Sequence, residues 1–132
     1  MTIVIFMIHL KNRNNLTKPV FSLLIGLFMS HITLGQNVHG IDVSNWQGNI
    51  DWNTVVNDGQ VYAWAKASEG MTYQDPQFIN NMTNGLDAGV VMGAYHFARP
   101  DNNLASEDAT NFLSTAGIYI GAGFLPPVLD LE

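Results

Sequence analysis

The sequence predicts an α/β chain in which βα units build a parallel sheet. Three observations point there. Four short runs rich in β-branched, aromatic or small apolar residues (39–44, 61–68, 90–98 and 127–132) are bounded by Gly, Pro or Asn. Segments of helical periodicity separate them, the alternation expected of a parallel sheet with crossover helices. The 132 residues are 47% hydrophobic, with three Trp, four Tyr and seven Phe, which suits a packed core and excludes a disordered tail.

At the N-terminus, residues 1–35 hold Lys11, Arg13 and Lys18 and no acid, a charge of +3. Residues 36–132 hold Lys66 and Arg99 against all eleven acids, a charge of −9. The basic stretch Lys11–Lys18, the apolar run Val20–Met29 and the small residues Thr33 and Gly35 before a cut predict a secretory signal peptide cleaved near Gly35. A secreted protein is therefore expected. The apolar run is short for a bilayer span, so contact with a membrane is expected only if this leader stays uncleaved. A second apolar patch, Ile3–Ile8, leaves open whether translation starts at Met1 or Met7.

Residues 36–132 read as one domain. His39–Ser44 is the first strand, and Ile50–Asn57 is at best a short helix closed by Asp58-Gly59. Val61–Ser68 is the second strand, with Ala63, Ala65 and Ala67 on one face and Trp64, Lys66 and Ser68 on the other. Asp75 caps the next helix and Pro76 takes its first position, with Phe78, Met82 and Leu86 on one face and Gly89 as the stop. Val90–Ala98 is the third strand. A helix from about Leu104 to Thr115 is expected to bury Ala105, Ala109, Phe112 and Leu113 and to end at Gly117. Pro127–Glu132 is the fourth strand. A closed (β/α) barrel needs about eight strands and roughly 200–250 residues, so four strands ending at Glu132 read as an incomplete domain.

Several function classes drop out early. Without cysteine there are no disulfides, thiolate metal sites or cysteine nucleophiles. His39 has no second ligand at metal spacing, so no metal is expected, and no cofactor motif is present. A net charge of −6 with five Lys and Arg argues against nucleic acid as partner.

The chemistry gathers on strands. Period-two geometry puts Asp130 and Glu132 on one face of the last strand. Two close carboxylates serve glycosidic cleavage, one protonating the leaving oxygen and the other stabilising positive charge on the sugar. An acidic strand end also occurs without function. Asp42 shares its face with Ser44 and would point inward beside the pair, as a catalytic group or as a structural hydrogen-bonding acid. Lys66 is expected to pair with an inward carboxylate, with Glu69 a possible partner. Which of Tyr95, His96, Phe97 and Arg99 face the cleft is open, and His96 fits a hydrogen-bonded scaffold role better than a general base. Trp52 reads as core, whereas Trp46 suits either core or stacking on a sugar ring.

Five segments, GIDVSNWQGNIDW (Gly40–Trp52), KASEG (Lys66–Gly70), YQDPQF (Tyr73–Phe78), GAYHFARP (Gly93–Pro100) and LPPVLDLE (Leu125–Glu132), resemble the glycoside hydrolase family 25 lysozymes in order and spacing. The resemblance covers about residues 38–132, the N-terminal half of that catalytic domain. It implies a modified TIM-like (β/α) barrel with only about its first four strands present. It also implies an N-acetylmuramidase cleaving the β-1,4 bond between N-acetylmuramic acid and N-acetylglucosamine in peptidoglycan. By position Glu132 matches the catalytic acid, Asp130 the carboxylate that assists the substrate's acetamido group, and Asp42 the acid of the first strand. Retention through an oxazoline-like intermediate is then expected. Tyr95 and Trp46 are the candidate substrate contacts. The family's late acidic residue and its closing strands have no counterpart in these residues, so this chain alone is expected to be inactive. Two alternatives stand beside this reading. A chitinase-like hydrolase would need an acid where Val128 stands, and a secreted carbohydrate-binding or degenerate module would keep the cleft without turnover.

Overall fold

The computed structural model describes residues 37–132, and the expected leader and its cut at Gly35 lie outside the described residues. Strand β1 (His39–Val43) leads through a short turn to helix α1 (Trp52–Asn57), then β2 (Gln60–Glu69), β3 (Tyr73–Gln74) and α2 (Phe78–Asp87). β4 (Val91–Phe97), α3 (Ala105–Ala116) and β5 (Val128–Asp130) follow.

β1, β2, β4 and β5 lie side by side in that order, all parallel, and β3 folds back antiparallel on β2. Each parallel strand thus lies next to its predecessor with no reversal of order. Right-handed crossovers repeated in one direction place the helices on one face, which is how a (β/α) barrel winds and not how a doubly wound sheet does.

Ala63, Ala65, Ala67, Met92 and Ala94 are buried on the helix side with Val43 and Trp52. Alanine there lets α2 approach closely. Phe78 and Met82 are buried against the sheet, and a Cβ at Gly85 would lie 2.4 Å from Met92 Sδ. Burying such side chains supplies about 1.5–3 kcal/mol each.

Local signals explain most ends. Asp51 caps α1 by accepting from the Asn53 and Thr54 N–H groups, and Gly59 leaves the helix at φ 82°. α2 begins later than expected, at Phe78. The Asp75 carboxylate accepts from Gln77 N–H at 2.8 Å and from Asn45 N–H at 3.0 Å, so it fixes a turn before the helix and ties it to the end of β1. Leu86, expected on the buried face, is 37% exposed.

Two expectations need correction. On β2 the pairing with β4 steps from Lys66↔Tyr95 to Ser68↔His96, passing over Ala67. This bulge turns Ser68 away from Trp64 and Lys66 to the helix side. α3 buries Asp108, Asn111 and Ala116 instead of Ala105, Ala109 and Leu113, which are exposed. Polar partners decide the rotation. The Asn111 amide donates to the carbonyls of Gly70 (2.8 Å) and Tyr73 (3.0 Å), and Asp108 accepts from Arg99 N–H (3.0 Å) and the Asn103 amide (2.9 Å). Ala105, Ala109 and Phe112 instead line a groove of about 550 Å³ with Leu129 and Leu131.

Candidate active site

Opposite the helices, the sheet presents a polar face at the C-terminal ends of its strands. Register aligns Asp42 with Trp64 and Gly93, Lys66 with Tyr95 and Val128, and Glu69 with Phe97 and Asp130. Asp42, Trp64, Tyr95, Val128, Asp130 and Glu132 line one open cavity of about 410 Å³. The three carboxylates expected from the first and last strands therefore share one space, with Tyr95 among them. Asp42 and Glu132 are exposed to that space and Asp130 is half-buried, so Asp42 is not the buried acid expected.

Large and small side chains alternate on this face of the sheet. Tyr62 lies over Gly40, where a Cβ would come within 2.0 Å of its ring, and Trp64 lies over Gly93, where a Cβ would come within 2.7 Å. The two rings meet edge to face at 5.3 Å. Trp64 Nε1 donates to the Pro126 carbonyl at 3.0 Å, fixing the segment that leads into β5 and its carboxylates.

Burial, then the Asp42, Asp130 and Asp75 carboxylates, push the Tyr95 hydroxyl up to about 12, with a small offset from the Ser44 hydroxyl. Tyr95 is therefore a neutral donor at ordinary pH, suited to a sugar hydroxyl or acetamido oxygen.

Beside this cavity the Lys66–Glu69 pair forms as anticipated, Nζ to Oε2 at 2.5 Å. Arg99, which the sequence reading did not assign, joins it by donating from Nε to Glu69 Oε1 at 2.7 Å and from Nη2 to the same oxygen. Burial alone would raise the Glu69 carboxyl, but the hydrogen bonds and charges of Lys66 and Arg99 prevail and hold it below the usual range. His96 has the scaffold role, with Nδ1 2.8 Å from Ser68 Oγ on the helix side. Trp52 is buried. Trp46 is 85% exposed and is not among the residues lining the cavity. Among the described residues no three His, Asp or Glu side chains gather at metal-ligand spacing.

Known proteins are similar to this chain in sequence and fold. Lysozyme M1 of Streptomyces globisporus is 46% identical over 96 residues, covering 72% of this chain and 33% of that protein. The N,O-diacetylmuramidase of Arthroderma benhamiae is 34% identical over 101 residues, covering 76% of this chain and 43% of that one. Among solved structures, a family 25 lysozyme from Aspergillus fumigatus superimposes with a TM-score of 0.68 at 38% identity, covering 72% of this chain and 46% of that one. The bacterial lysozyme from Streptomyces coelicolor gives 0.65 at 44%, covering 72% and 44%. The chain thus spans a third to just under half of these relatives, and their structures fit an α/β, TIM-like fold. The family described as Glycosyl hydrolases family 25 matches residues 41–132, and the chain belongs to it.

Proposed function

We propose that residues 37–132 carry the acid-bearing part of a peptidoglycan-cleaving site, that of an N-acetylmuramidase acting on the β-1,4 bond between N-acetylmuramic acid and N-acetylglucosamine. The observation that carries this reading is one cavity lined by Asp42, Asp130, Glu132 and Tyr95 at the C-terminal ends of adjacent parallel strands. The lysozyme and muramidase relatives support the substrate. The four parallel strands correspond to the first part of a barrel, and its remaining strands belong to the length of the relatives that this chain does not match.

In this reading Glu132 gives its proton to the glycosidic oxygen as the bond to the muramyl C1 breaks. The substrate's acetamido oxygen closes on C1, and Asp130 holds the acetamido N–H as positive charge develops there. Water then opens the oxazoline-like ring with Glu132 as base, so the anomeric configuration is retained. Asp42 adds negative charge on the same side, and Tyr95 donates a hydrogen bond to the substrate.

Release of reducing ends from purified peptidoglycan, measured for these residues extended to a closed barrel and for the Glu132→Gln variant of the same protein, is the test. Hydrolysis that disappears in the variant while glycan binding persists supports the assignment, and hydrolysis that survives the substitution refutes it. Equal glycan binding by both proteins with no release from either would refute hydrolysis and leave glycan binding without turnover as the reading. Export follows from the same substrate, which lies outside the cell, and from the charge and hydropathy of residues 1–35. Protein from the medium whose intact mass still includes those residues would contradict a cleaved leader.

A further inference from the structure

Residues 36–132 contain two Lys or Arg side chains, Lys66 and Arg99, against eleven acids. Both converge on Glu69, so the local sum is +1 in an otherwise anionic domain. The cluster stands next to the acidic cavity. Phe97 is the register partner of Asp130, Ala98 N–H donates to the Asp130 carbonyl at 2.9 Å, and Arg99 is the next residue.

Arg99 is held like a ligand reader. Its guanidinium carbon lies 4.6 Å from the Phe97 ring centroid, and Lys66 Nζ lies 4.9 Å from the same ring. Its backbone N–H is fixed by Asp108 at 3.0 Å, and its stem runs against Gly70. Nε and Nη2 point to Glu69, which occupies one edge of the guanidinium. Nη1 makes no hydrogen bond among the described residues, and the side chain is 49% exposed. An orientated fork with one edge pinned and the other open matches a carboxylate in geometry and charge.

We propose that Arg99 is a specificity-determining residue that binds a carboxylate carried by the glycan through its open Nη1–Nη2 edge. The proposal rests on the muramidase reading and deepens it. Three carboxylates in the cavity repel an anionic saccharide, and a cation beside them offsets that repulsion where an acidic sugar enters. Arg99 thereby favours an acidic N-acetylated glycan over its neutral counterpart. In peptidoglycan the carboxylate belongs either to the ether-linked acid of the muramyl sugar or to its peptide stem.

Calorimetric titration of the chain with three tetrasaccharides tests this. They are N-acetylglucosamine alone, an alternating N-acetylmuramic acid form with free carboxylates, and the same form bearing peptide stems. The expected result is about 10-fold or greater preference for a carboxylated form, loss of that preference in Arg99→Gln, and partial retention in Arg99→Lys, which keeps charge but not the fork. Preference for the free-acid form assigns the sugar's own carboxylate, and preference for the stem-bearing form alone assigns the peptide. No preference in the parent chain, an unchanged preference in Arg99→Gln, or equal weakening of acidic and neutral saccharides would overturn the proposal. The last pattern is that of a merely structural residue. Should Arg99→Gln fail to fold, Arg99→Lys decides: reduced preference supports the proposal and full preference overturns it. Binding of no saccharide by the parent chain would instead refute the muramidase reading, and this inference with it.

Discussion

Replacing Gly40 by alanine places a methyl group 2.0 Å from the Tyr62 ring, against an ordinary carbon–carbon contact of about 3.5–4.0 Å. β1 is hydrogen-bonded along β2, so the backbone has little room to yield and the ring must swing off the strand. Tyr62 then loses its edge-to-face contact with Trp64, which lines the cavity. Overpacking of this kind costs about 1–3 kcal/mol. For a unit of roughly 100 residues that lowers Tm by about 4–20 °C. Thermal unfolding followed by circular dichroism is the assay, run on Gly40→Ala, Tyr62→Ala and the double variant. With the ring gone the three atoms nearest the added methyl are gone with it, so Gly40→Ala should cost much less in the Tyr62→Ala background than in the parent. Equal destabilisation in both backgrounds would refute the close approach as the cause.

Met82 is wholly buried, so Met82→Ala should cost about 2–5 kcal/mol in urea unfolding, and a loss below about 1 kcal/mol would contradict the packing between α2 and the sheet. Glu69 and Asp108 are both held below their ordinary values of 4.5 and 3.8, so the folded state binds fewer protons than the unfolded state. Their stabilisation is present above those values and is lost as pH falls through and below them. Urea midpoints measured from neutral pH downward should drop in that window, and Glu69→Gln should flatten the drop. Tyr95 contributes with the opposite sign, present below the ordinary value of 10.0 and lost as pH rises towards about 12. Ultraviolet titration should therefore show a late tyrosine ionisation near 12 that Tyr95→Phe removes.

The strands were legible because each signal is local. Period-two alternation placed Asp42, Trp64, Lys66 and Asp130 on one face, and the structure agrees. Alternation failed at Ala67, since a bulge is set by the partner strand and leaves no mark in a run of alternating alanines. The face of α3 was misread for a related reason. Ala105, Ala109 and Leu113 are the more apolar choice, but the carbonyls of Gly70 and Tyr73 under the helix take a donor, and Asn111 supplies it from 38 residues or more along the chain. Arg99 was named but left without a role because its partner Glu69 lies 30 residues away. The available hint was compositional, namely that Lys66 and Arg99 are the two cations of an acidic domain.

Composition alone would also misread Ser68, His96 and Asp108, a serine, a histidine and an acid in line. Ser68 Oγ lies 2.8 Å from His96 Nδ1, and His96 Nε2 lies 3.4 Å from Asp108 Oδ2. A nucleophile must reach a substrate, and Ser68 has no exposed surface. The acid is committed elsewhere too, since both Asp108 oxygens accept from Arg99 N–H and the Asn103 amide. Burial would raise the Asp108 carboxyl, yet those bonds and His96 hold it low, so it stays an anion that pins α3 to the end of β4. The string therefore joins β2, β4 and α3 across the back of the sheet. The same residue that accepts from Arg99 N–H sets where the guanidinium begins, so a buried scaffold on the helix side fixes a charged group at the rim of the acidic cavity.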